Sequence, residues 1–399
     1  MSRQSRYHPR IAILGGGFTG AAIAWNLAEA GVDADVTVIE PQPELGRGLA
    51  YSTREPAHRI NVPASQMSLR PEAPADFINW LDHNGLIEDA DLARDGEVFV
   101  QRGLSGRYVA EHLTPYLRDG SLTHQRARLM NVTATRGFDP TLRLSLSNGG
   151  SELADILVVA TGNPLPEIPA QLQPLIGSNA LILDPFSPAR LETIGVNERV
   201  LIVGSGLTSA DVVATLDRQG HRGQILALAR HGQRSQPYGG TALASGVDFT
   251  NPVPRTALTL LRTVRRAVQD AEIRGENWQS VFNLLRRQGQ QIWAALDMTE
   301  RARFNRHLKV YWDAHRHRVA PQVARIIAAR TAEGTLAYVA ARLSRVAEDV
   351  EGVHVGFRGR GEALERLVMR STASSSRPAR PMPAPSTSTG GRRRWRTLA

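Results

Sequence analysis

The chain has 399 residues, of which 42% are hydrophobic and 22% charged, so it is long enough for two domains with ordinary globular cores. The complete absence of cysteine excludes disulfide scaffolds, thiolate nucleophiles, iron–sulfur clusters and dithiol relays. The net charge is +10, but residues 371–399 hold six arginines and no acid, so the rest of the chain carries only +4. This distribution favours a mixed surface with a basic tail over nucleic-acid binding.

Membrane insertion is not expected from the sequence. No stretch approaches the ~20 consecutive apolar residues of a membrane span. The apolar run near the N-terminus, from Ile11 to Leu14, is too short for the core of a signal peptide. We therefore expect a cytoplasmic protein that binds neither membrane nor nucleic acid.

The first organised segment runs from Ile11 to Glu40. It reads as an apolar strand, the loop Gly15-Gly16-Gly17-Phe18-Thr19-Gly20, an alanine-rich helix and a second strand that ends in Glu40. This order is the fingerprint of a dinucleotide site. We expect Gly15 to permit the tight turn, Gly17 to let a pyrophosphate approach the backbone, and Gly20 to let helix and strand pack closely. Glu40 would accept hydrogen bonds from a ribose.

Two further segments contain residue types suited to ligand contact. In Gly46-Arg47-Gly48-Leu49-Ala50-Tyr51-Ser52 an arginine lies between glycines, which leaves two alternatives open: Arg47 meets a phosphate, or the segment is a plain loop. His58-Arg59-Ile60-Asn61-Val62-Pro63-Ala64 follows. Together with Met67 and the first loop, these segments resemble a bacterial FAD/NAD(P)-binding family that includes a flavin-dependent urate hydroxylase. The resemblance extends over about residues 10 to 365, and it implies that the first nucleotide is FAD.

Short strands are predicted between Ala127 and Gly162. Alternating apolar and polar residues predict strands at 127–132 and 142–146. A turn at Asn148-Gly149-Gly150 follows, and the next apolar strand ends in Ala160-Thr161-Gly162. This ending resembles the second signature of flavoproteins with two dinucleotides. Thr161 and Gly162 are therefore expected beside the cofactor.

A second glycine-rich loop begins at Gly204. The strand Val200 to Val203 precedes Gly204-Ser205-Gly206-Leu207-Thr208-Ser209, in which serine stands where the third glycine would be. The following strand, 225–229, ends in Arg230 and not in an acid. Because an arginine at this position can bind a 2′-phosphate, NADPH is favoured over NADH, with a solvated arginine as the alternative.

Helical periodicity dominates residues 251–332. His315 lies on an apolar stripe and is interpreted as a core histidine, not as a catalyst. Arg316 and Arg318 lie off that stripe, where contact with an anionic substrate and contact with water both remain open. The two histidines at 315 and 317 lack a carboxylate pattern, so no metal site is expected.

The end of the chain departs from the resembled family, which continues with a final Thr-Gly strand. Here residues 367 and 368 lead into a segment rich in Ser, Pro, Arg and Ala. The chain has 47 arginines and one lysine, Lys309, which indicates a GC-rich gene. Our hypothesis is that this tail is translated out of frame; a natural disordered tail is the alternative.

These observations predict an α/β fold with two Rossmann-like dinucleotide-binding domains and a helical insertion. The expected divisions are an FAD domain over 1–175, completed by strands 336–368, a NAD(P)H domain over 176–335 with insertion 251–332, and a disordered basic tail over 369–399. The predicted cofactor-binding residues are Gly15, Gly17, Phe18, Thr19, Gly20, Glu40, Arg47, Asn61, Thr161, Gly162, Gly204, Gly206, Thr208, Ser209 and Arg230.

The function expected from this pattern and resemblance is that of an FAD-dependent NAD(P)H oxidoreductase. Hydride would pass from NAD(P)H to FAD, and a monooxygenase would then use O2 to hydroxylate a small molecule, with a urate-like purine as one candidate. No catalytic residue is predicted. The alternative is a non-catalytic or inactive FAD/NAD(P)-binding protein.

Overall fold

A computed structural model describes residues 8–135, 141–162, 167–349, 352–359 and 364–369. Three sheets lie in these ranges, with strand orders β3-β2-β1-β7, β4-β5-β6 and β12-β11-β10-β9-β8. The strands are β1 Arg10–Leu14, β2 Asp35–Ile39, β3 Leu122–Gln125, β4 Leu129–Ala134, β5 Leu142–Leu146, β6 Ser151–Ala154, β7 Ile156–Val159, β8 Val200–Val203, β9 Ile225–Ala229, β10 Leu336–Asp349, β11 Gly352–Gly359 and β12 Leu364–Met369.

The first sheet is parallel throughout and forms the centre of what we call the first unit. Strand β1 has β2 on one side and β7 on the other, with Ile13 opposite Val38 and Val158. Its three central residues are buried, as expected for a strand covered on both faces. The antiparallel sheet β4-β5-β6 follows as a meander and leads directly into β7.

The second sheet forms the centre of the second unit. Strands β8, β9 and the first part of β10 are parallel, and the long strand β10 then continues into an antiparallel meander with β11 and β12. Both units therefore repeat one plan, in which parallel strands are followed by a meander. The predicted α/β class with two Rossmann-like cores is confirmed.

Helices connect the strands and build the insertion. The helices before β9 are α1 Phe18–Glu29, α2 Gly48–Tyr51, α3 Asp76–His83, α4 Arg102–Arg118, α5 Pro188–Leu191 and α6 Leu207–Arg218. Between β9 and β10 lie α7 Ala257–Ile273, α8 Trp278–Arg287, α9 Gly289–Ala295, α10 Met298–His307, α11 Lys309–Arg316 and α12 Pro321–Ala332. No helix in the described ranges is long and apolar enough to cross a membrane.

One hydrophobic core joins the two units. It contains Ile13 and Trp25 from the first unit together with Val213, Leu216 and Ile225 from the second. The insertion has a separate core that includes Phe249, Leu260, Val281 and Ile292. The parallel strands of the two units thus share apolar packing, whereas most of the insertion packs on itself.

The prediction that strands 336–368 complete the first unit is wrong. Strand β10 pairs in parallel with β9, and β12 pairs antiparallel with β11 as the third strand of the second meander. Residues 341–346, ARLSRV, are similar in sequence to residues 127–132, ARLMNV, and both segments lead into a local meander. A local repeat of this kind does not determine which sheet a strand joins. Among the described residues, no strand pairs with the outer edge of β8. The predicted tail lies outside the described residues after Met369.

Candidate functional site

The first glycine-rich loop lies where β1 ends. Gly15 has φ +99°, and a Cβ added there would lie 2.5 Å from the carbonyl oxygen of Ala160. A Cβ on Gly20 would lie only 1.9 Å from the carbonyl oxygen of Gly15. Helix α1 then begins at Phe18 with Gly17 as N-cap and no capping side chain. Phe18 and exposed Thr19 thus occupy a first turn whose backbone N–H groups suit an anion.

The Glu40 carboxylate, at the end of β2, contacts the same loop. One of its oxygens accepts a hydrogen bond from the Gly16 N–H at 2.8 Å, and the other accepts from the Gln42 N–H at 2.9 Å. A carboxylate has about four acceptor positions, so these two bonds leave capacity for hydroxyl donors. Glu40 both fixes the loop and presents an acceptor beside it.

Arg47 and Gly48 also lie against the first loop. A Cβ on Gly48 would be 3.0 Å from the Cα of Gly17, so these two backbones are in close contact. The Arg47 side chain forms an ion pair with Glu44 and is partly exposed. Asn61 is half-buried in the segment that follows Ile60. The structure brings the backbone on both sides of Arg47 to the loop, while no described contact joins Asn61 to it.

Thr161 and Gly162 follow β7, the strand that pairs with β1 on the side opposite β2. The Thr161 Cα would lie 3.1 Å from a Cβ on Gly15. Gly162 has φ +75° with open space around it, a conformation that favours glycine. The carboxyl ends of β2, β1 and β7 therefore converge on one edge of the first sheet, the usual place for a ligand in an open parallel sheet.

The second loop repeats this arrangement at the end of β8. Gly204 has φ +130°, and Gly206 is the N-cap of α6 without a capping side chain. Nothing lies within 4 Å of a Cβ added at either glycine. Thr208 is exposed in the first turn, whereas Ser209 is buried and its hydroxyl has no partner in the described residues. The uncapped helix end and the open backbone fit a phosphate group.

The side chains after β9 differ in charge from Glu40. Arg230 is exposed at the end of the strand, with no hydrogen bond or ion pair among the described residues. Arg234, which sequence reasoning missed, lies over the ring of Tyr338 at 5.0 Å. The backbone holds this segment against the second loop, because the Ser235 N–H donates to the Ser205 carbonyl at 3.3 Å. Two arginines thus follow β9 where an acid follows β2.

His315 and Arg318 lie inside the insertion. His315 packs between Trp278 and Phe282, and burial lowers the pKa of its imidazole, which fits the predicted core role. The Arg318 guanidinium donates to the His315 carbonyl, the Asn283 side chain and the Gln279 carbonyl. Burial lowers the pKa of Arg318 to about 10. Arg316 remains exposed beside Trp312.

Sequence comparison gives a family match for the first unit. Residues 12–164 match the model of a family described as FAD-NAD(P)-binding. This range holds the first loop, Glu40, Arg47, Asn61 and Thr161. No curated protein gives a significant sequence match.

Solved structures similar to this chain include those of an ornithine hydroxylase, a lysine monooxygenase and a cadaverine monooxygenase. The ornithine hydroxylase of Pseudomonas aeruginosa is 16% identical, with 91% of this chain and 80% of that chain covered and a TM-score of 0.54. The L-lysine 6-monooxygenase of Pseudomonas syringae is 17% identical, with 91% of this chain and 80% of that chain covered and a TM-score of 0.56. The FAD-bound cadaverine monooxygenase of Erwinia amylovora is 14% identical, with 91% of this chain and 77% of that chain covered and a TM-score of 0.59. At these identities the likeness shows a common fold.

Proposed function

We propose that this protein is an FAD-dependent NAD(P)H oxidoreductase of the monooxygenase type, with FAD at the first loop and NADPH at the second. The observation that carries the proposal is the pair of uncapped glycine loops at the carboxyl ends of two parallel sheets that share one core. The family match over residues 12–164 supports FAD at the first loop. The fold shared with an ornithine hydroxylase, a lysine monooxygenase and a cadaverine monooxygenase supports the oxygenase class.

The two sites would divide the binding work between them. In the first, backbone N–H groups of Gly17, Phe18 and Thr19 would hold the pyrophosphate while Glu40 accepts ribose hydroxyls; Arg47, Asn61, Thr161 and Gly162 would complete the wall. In the second, the loop Gly204 to Ser209 would hold the other pyrophosphate, and Arg230 with Arg234 would pair with a 2′-phosphate. That pairing favours NADPH over NADH.

When bound, FAD supplies the redox chemistry, taking two electrons from NADPH so that one oxygen atom of O2 enters the substrate and the other leaves as water. The protein's own residues bind, orient and exclude water. Half-buried Tyr51, whose pKa is raised by desolvation, and the ring of Phe18 at 5.9 Å form an apolar wall beside α1 and α2. No side chain is assigned as a general base.

The substrate proposal has two candidate classes. The family resemblance favours a planar purine such as urate, and the structural neighbours act on ornithine, lysine and cadaverine. Both classes are small and polar. The protein would work as a cytoplasmic enzyme.

The test is to purify the protein and measure its flavin content, its NADPH oxidation and its O2 consumption together. We expect a yellow protein with bound FAD that oxidises NADPH faster than NADH. Urate, ornithine, lysine and cadaverine are then added separately. A substrate is identified when NADPH use increases and a hydroxylated product replaces hydrogen peroxide. A colourless protein that binds neither nucleotide would contradict the proposal.

Three predictions from the sequence remain proposals with their own tests. A non-catalytic flavoprotein would retain FAD yet fail to accept electrons from NADPH under anaerobic conditions. The out-of-frame hypothesis for the residues after 367 is tested by sequencing the locus and translating the other frames, and it fails if no frame encodes a Thr-Gly strand. The domain division at 175 stays a proposal, testable by limited proteolysis, whereas a division at 335 would separate β10 from β9, with which it pairs in parallel.

A further inference from the structure

Helix α6, which follows the second glycine loop, is covered on more than one side. Eight successive residues, Ser209 to Leu216, are buried. A helix at a protein surface buries only one stripe, so this helix must pack against elements on different faces. It contacts α12 of the second unit, and its apolar residues share the core that reaches Trp25 and Phe77 of the first unit.

The face of α6 toward the first unit carries a polar stripe, which we define as Asp211, Thr215 and Arg218. Their spacing of four and three residues places them on one side of the helix. Each contacts a different residue of the first unit: Asp211 pairs with Arg102, Thr215 with His58, and Arg218 with Glu55. The polar stripe therefore contacts the first unit at three successive turns.

The Arg102–Asp211 pair has the geometry of a specific contact. Its two parallel hydrogen bonds measure 2.8 and 3.0 Å, and the side chains are only 13% and 8% exposed. The guanidinium also donates from Nε and Nη2 to the Arg59 carbonyl at 3.1 and 3.0 Å. A bidentate pair fixes both distance and angle, whereas apolar packing tolerates sliding.

His58 provides a second, uncharged contact. Its Nε2 lies 3.1 Å from the Thr215 hydroxyl and its Nδ1 lies 2.9 Å from the Thr53 hydroxyl. The residue is 2% exposed, and burial lowers the pKa of its imidazole, so the neutral ring bridges two hydroxyls. This bridge links α6 to residues 53–60, which we call the 53–60 loop.

Close glycine contacts hold the start of the 53–60 loop and the end of α2 against α4, and α2 leads back to the first glycine loop. A Cβ on Gly103 would lie 2.6 Å from the Thr53 carbonyl, and one on Gly106 would lie 2.6 Å from the Tyr51 carbonyl. Helix α2, which ends at Tyr51, begins with Gly48 against Gly17. Contacts therefore run without a break from α6 through the 53–60 loop and α2 to the first glycine loop.

We propose that Arg102 and Asp211, assisted by His58 and Thr215, are positioning residues that set the orientation of the second nucleotide loop relative to the first. The inference rests on the proposed function, because hydride transfer needs the two reactive rings at one separation and angle. These residues touch neither nucleotide loop directly. They act through α6, whose N-terminus carries the second loop, and through the 53–60 loop, which leads to the first.

The decisive variant replaces the ion pair by apolar residues of similar size, Arg102→Met/Asp211→Leu. Such replacements of buried pairs commonly retain stability because they remove two desolvated charges together. The matched control is Arg107→Met/Glu111→Leu, which removes a pair on the same helix α4 whose side chains are 43% exposed. Thr215→Val is a second variant that removes one uncharged hydrogen bond without a change in shape.

The first measurement needs no bound nucleotide. Because the chain lacks cysteine, Arg118→Cys and Glu333→Cys provide two clean labelling positions, one in each unit. Spin-label distances should be narrowly distributed in the otherwise native protein and in the control, and broad or shifted in Arg102→Met/Asp211→Leu. Thr215→Val should give a smaller change in the same direction. A distribution that stays native in both variants would overturn the inference, whatever the enzyme does.

The second measurement separates binding from transfer. With FAD content and NADPH affinity unchanged, the anaerobic rate of flavin reduction should fall by about tenfold to a hundredfold in the double variant. The long-wavelength charge-transfer absorption between the stacked rings should weaken with it. A native rate with a changed NADPH affinity would contradict a positioning role. Failure of the native protein to bind either nucleotide would contradict the proposed function and leave the distance result as the test of the inference.

Discussion

Individual glycines in the two loops have different physical tasks. Gly20 has no room for a methyl group because the Gly15 carbonyl oxygen would lie 1.9 Å from it. Gly206, by contrast, has φ −85° and nothing within 4 Å of an added Cβ. The packing of the protein therefore requires glycine at position 20, while no described neighbour requires it at position 206, where the proposed nucleotide contact would supply the reason.

This contrast gives a prediction at the residue scale. Gly206→Ala should lower the free energy of unfolding by no more than about 1 kcal/mol, the usual difference between glycine and alanine at an N-cap. NADPH affinity should fall at least tenfold if the pyrophosphate contacts this backbone. Gly20→Ala should instead destabilise the whole protein by about 1–3 kcal/mol through overpacking. Thermal unfolding and NADPH titration measure both effects; unchanged NADPH affinity in Gly206→Ala would contradict the placement of the cofactor.

Buried histidines predict a pH dependence of stability. Burial lowers the pKa of His58, His221, His315 and His317 below the ordinary value near 6.5. As pH falls below ~6.5, the unfolded chain binds protons that the folded chain does not, so stability decreases toward acid and is retained above ~6.5.

The contribution of one such histidine is measured with His315→Phe, which keeps the ring between Trp278 and Phe282. Urea unfolding at several pH values between about 5 and 8 should show a weaker acid dependence in this variant. His307→Gln changes an exposed histidine of the neighbouring helix α10 and serves as control. Equal slopes for His315→Phe and the unchanged chain would refute the assignment.

At the scale of elements, the insertion is held together at helix ends. Asp297 caps α10 by accepting from the Glu300 N–H at 2.8 Å. Glu300 is buried and accepts from the Ala257 N–H, at the start of α7, at 2.8 Å, while Arg303 pairs with its other oxygen. One carboxylate therefore joins the N-terminus of α7 to α10, where the helix dipole favours negative charge.

We expect Glu300→Ala to destabilise the insertion by about 1–3 kcal/mol, because a buried N–H at the start of α7 loses its acceptor. Glu272→Ala, an exposed acid in the last turn of the same helix, is the matched control. Hydrogen exchange of the insertion and thermal unfolding provide the measurement. A loss confined to the β-sheets, or none, would show that Glu300 lacks this role.

Elements with a local pattern were predictable from sequence, and contacts between distant elements were not. The glycine loops combine strand, turn and helix within about 30 residues, and their geometry follows from φ and packing at Gly15, Gly20 and Gly204. The Arg102–Asp211 pair joins residues 109 positions apart. The pairing of β10 with β9 spans the whole insertion. No periodicity encodes such partners, so the 336–368 strands were assigned to the wrong unit.

Across the whole molecule, charge is unevenly distributed. Residues 251–332 contain 15 Lys and Arg against 6 Asp and Glu, whereas the residues outside this insertion and the tail contain 27 against 32. The +4 that remains without the tail thus combines a basic insertion with an acidic remainder. A concentrated field of one sign raises the encounter rate of an oppositely charged ligand such as NADPH.

The resulting prediction concerns association kinetics. Arg262, Arg265 and Arg266 are exposed on one face of α7, and changing all three to Gln should slow NADPH association severalfold at ~0.01 M salt and much less at ~0.15 M. Dissociation should hardly change. The control removes three exposed charges from the first unit, Arg118, Arg126 and Arg128. Equal effects of the two triple variants in stopped-flow binding would argue against steering by the insertion.

The outer edge of β8, with which no described strand pairs, affects how readily the backbone opens locally. In the first sheet, Gly15 donates to β2, so by alternation Ala12 and Leu14 direct their N–H groups to β7. In the second, Val200 and Gly204 donate to β9, which directs the N–H groups of Leu201 and Val203 to an edge where no described strand pairs. Leu201 and Val203 should therefore exchange their amide hydrogens far faster than Ala12 and Leu14. Within the described ranges, the second glycine loop is thus attached to a strand that is paired on one side only, and we expect it to open at a lower free-energy cost than the first.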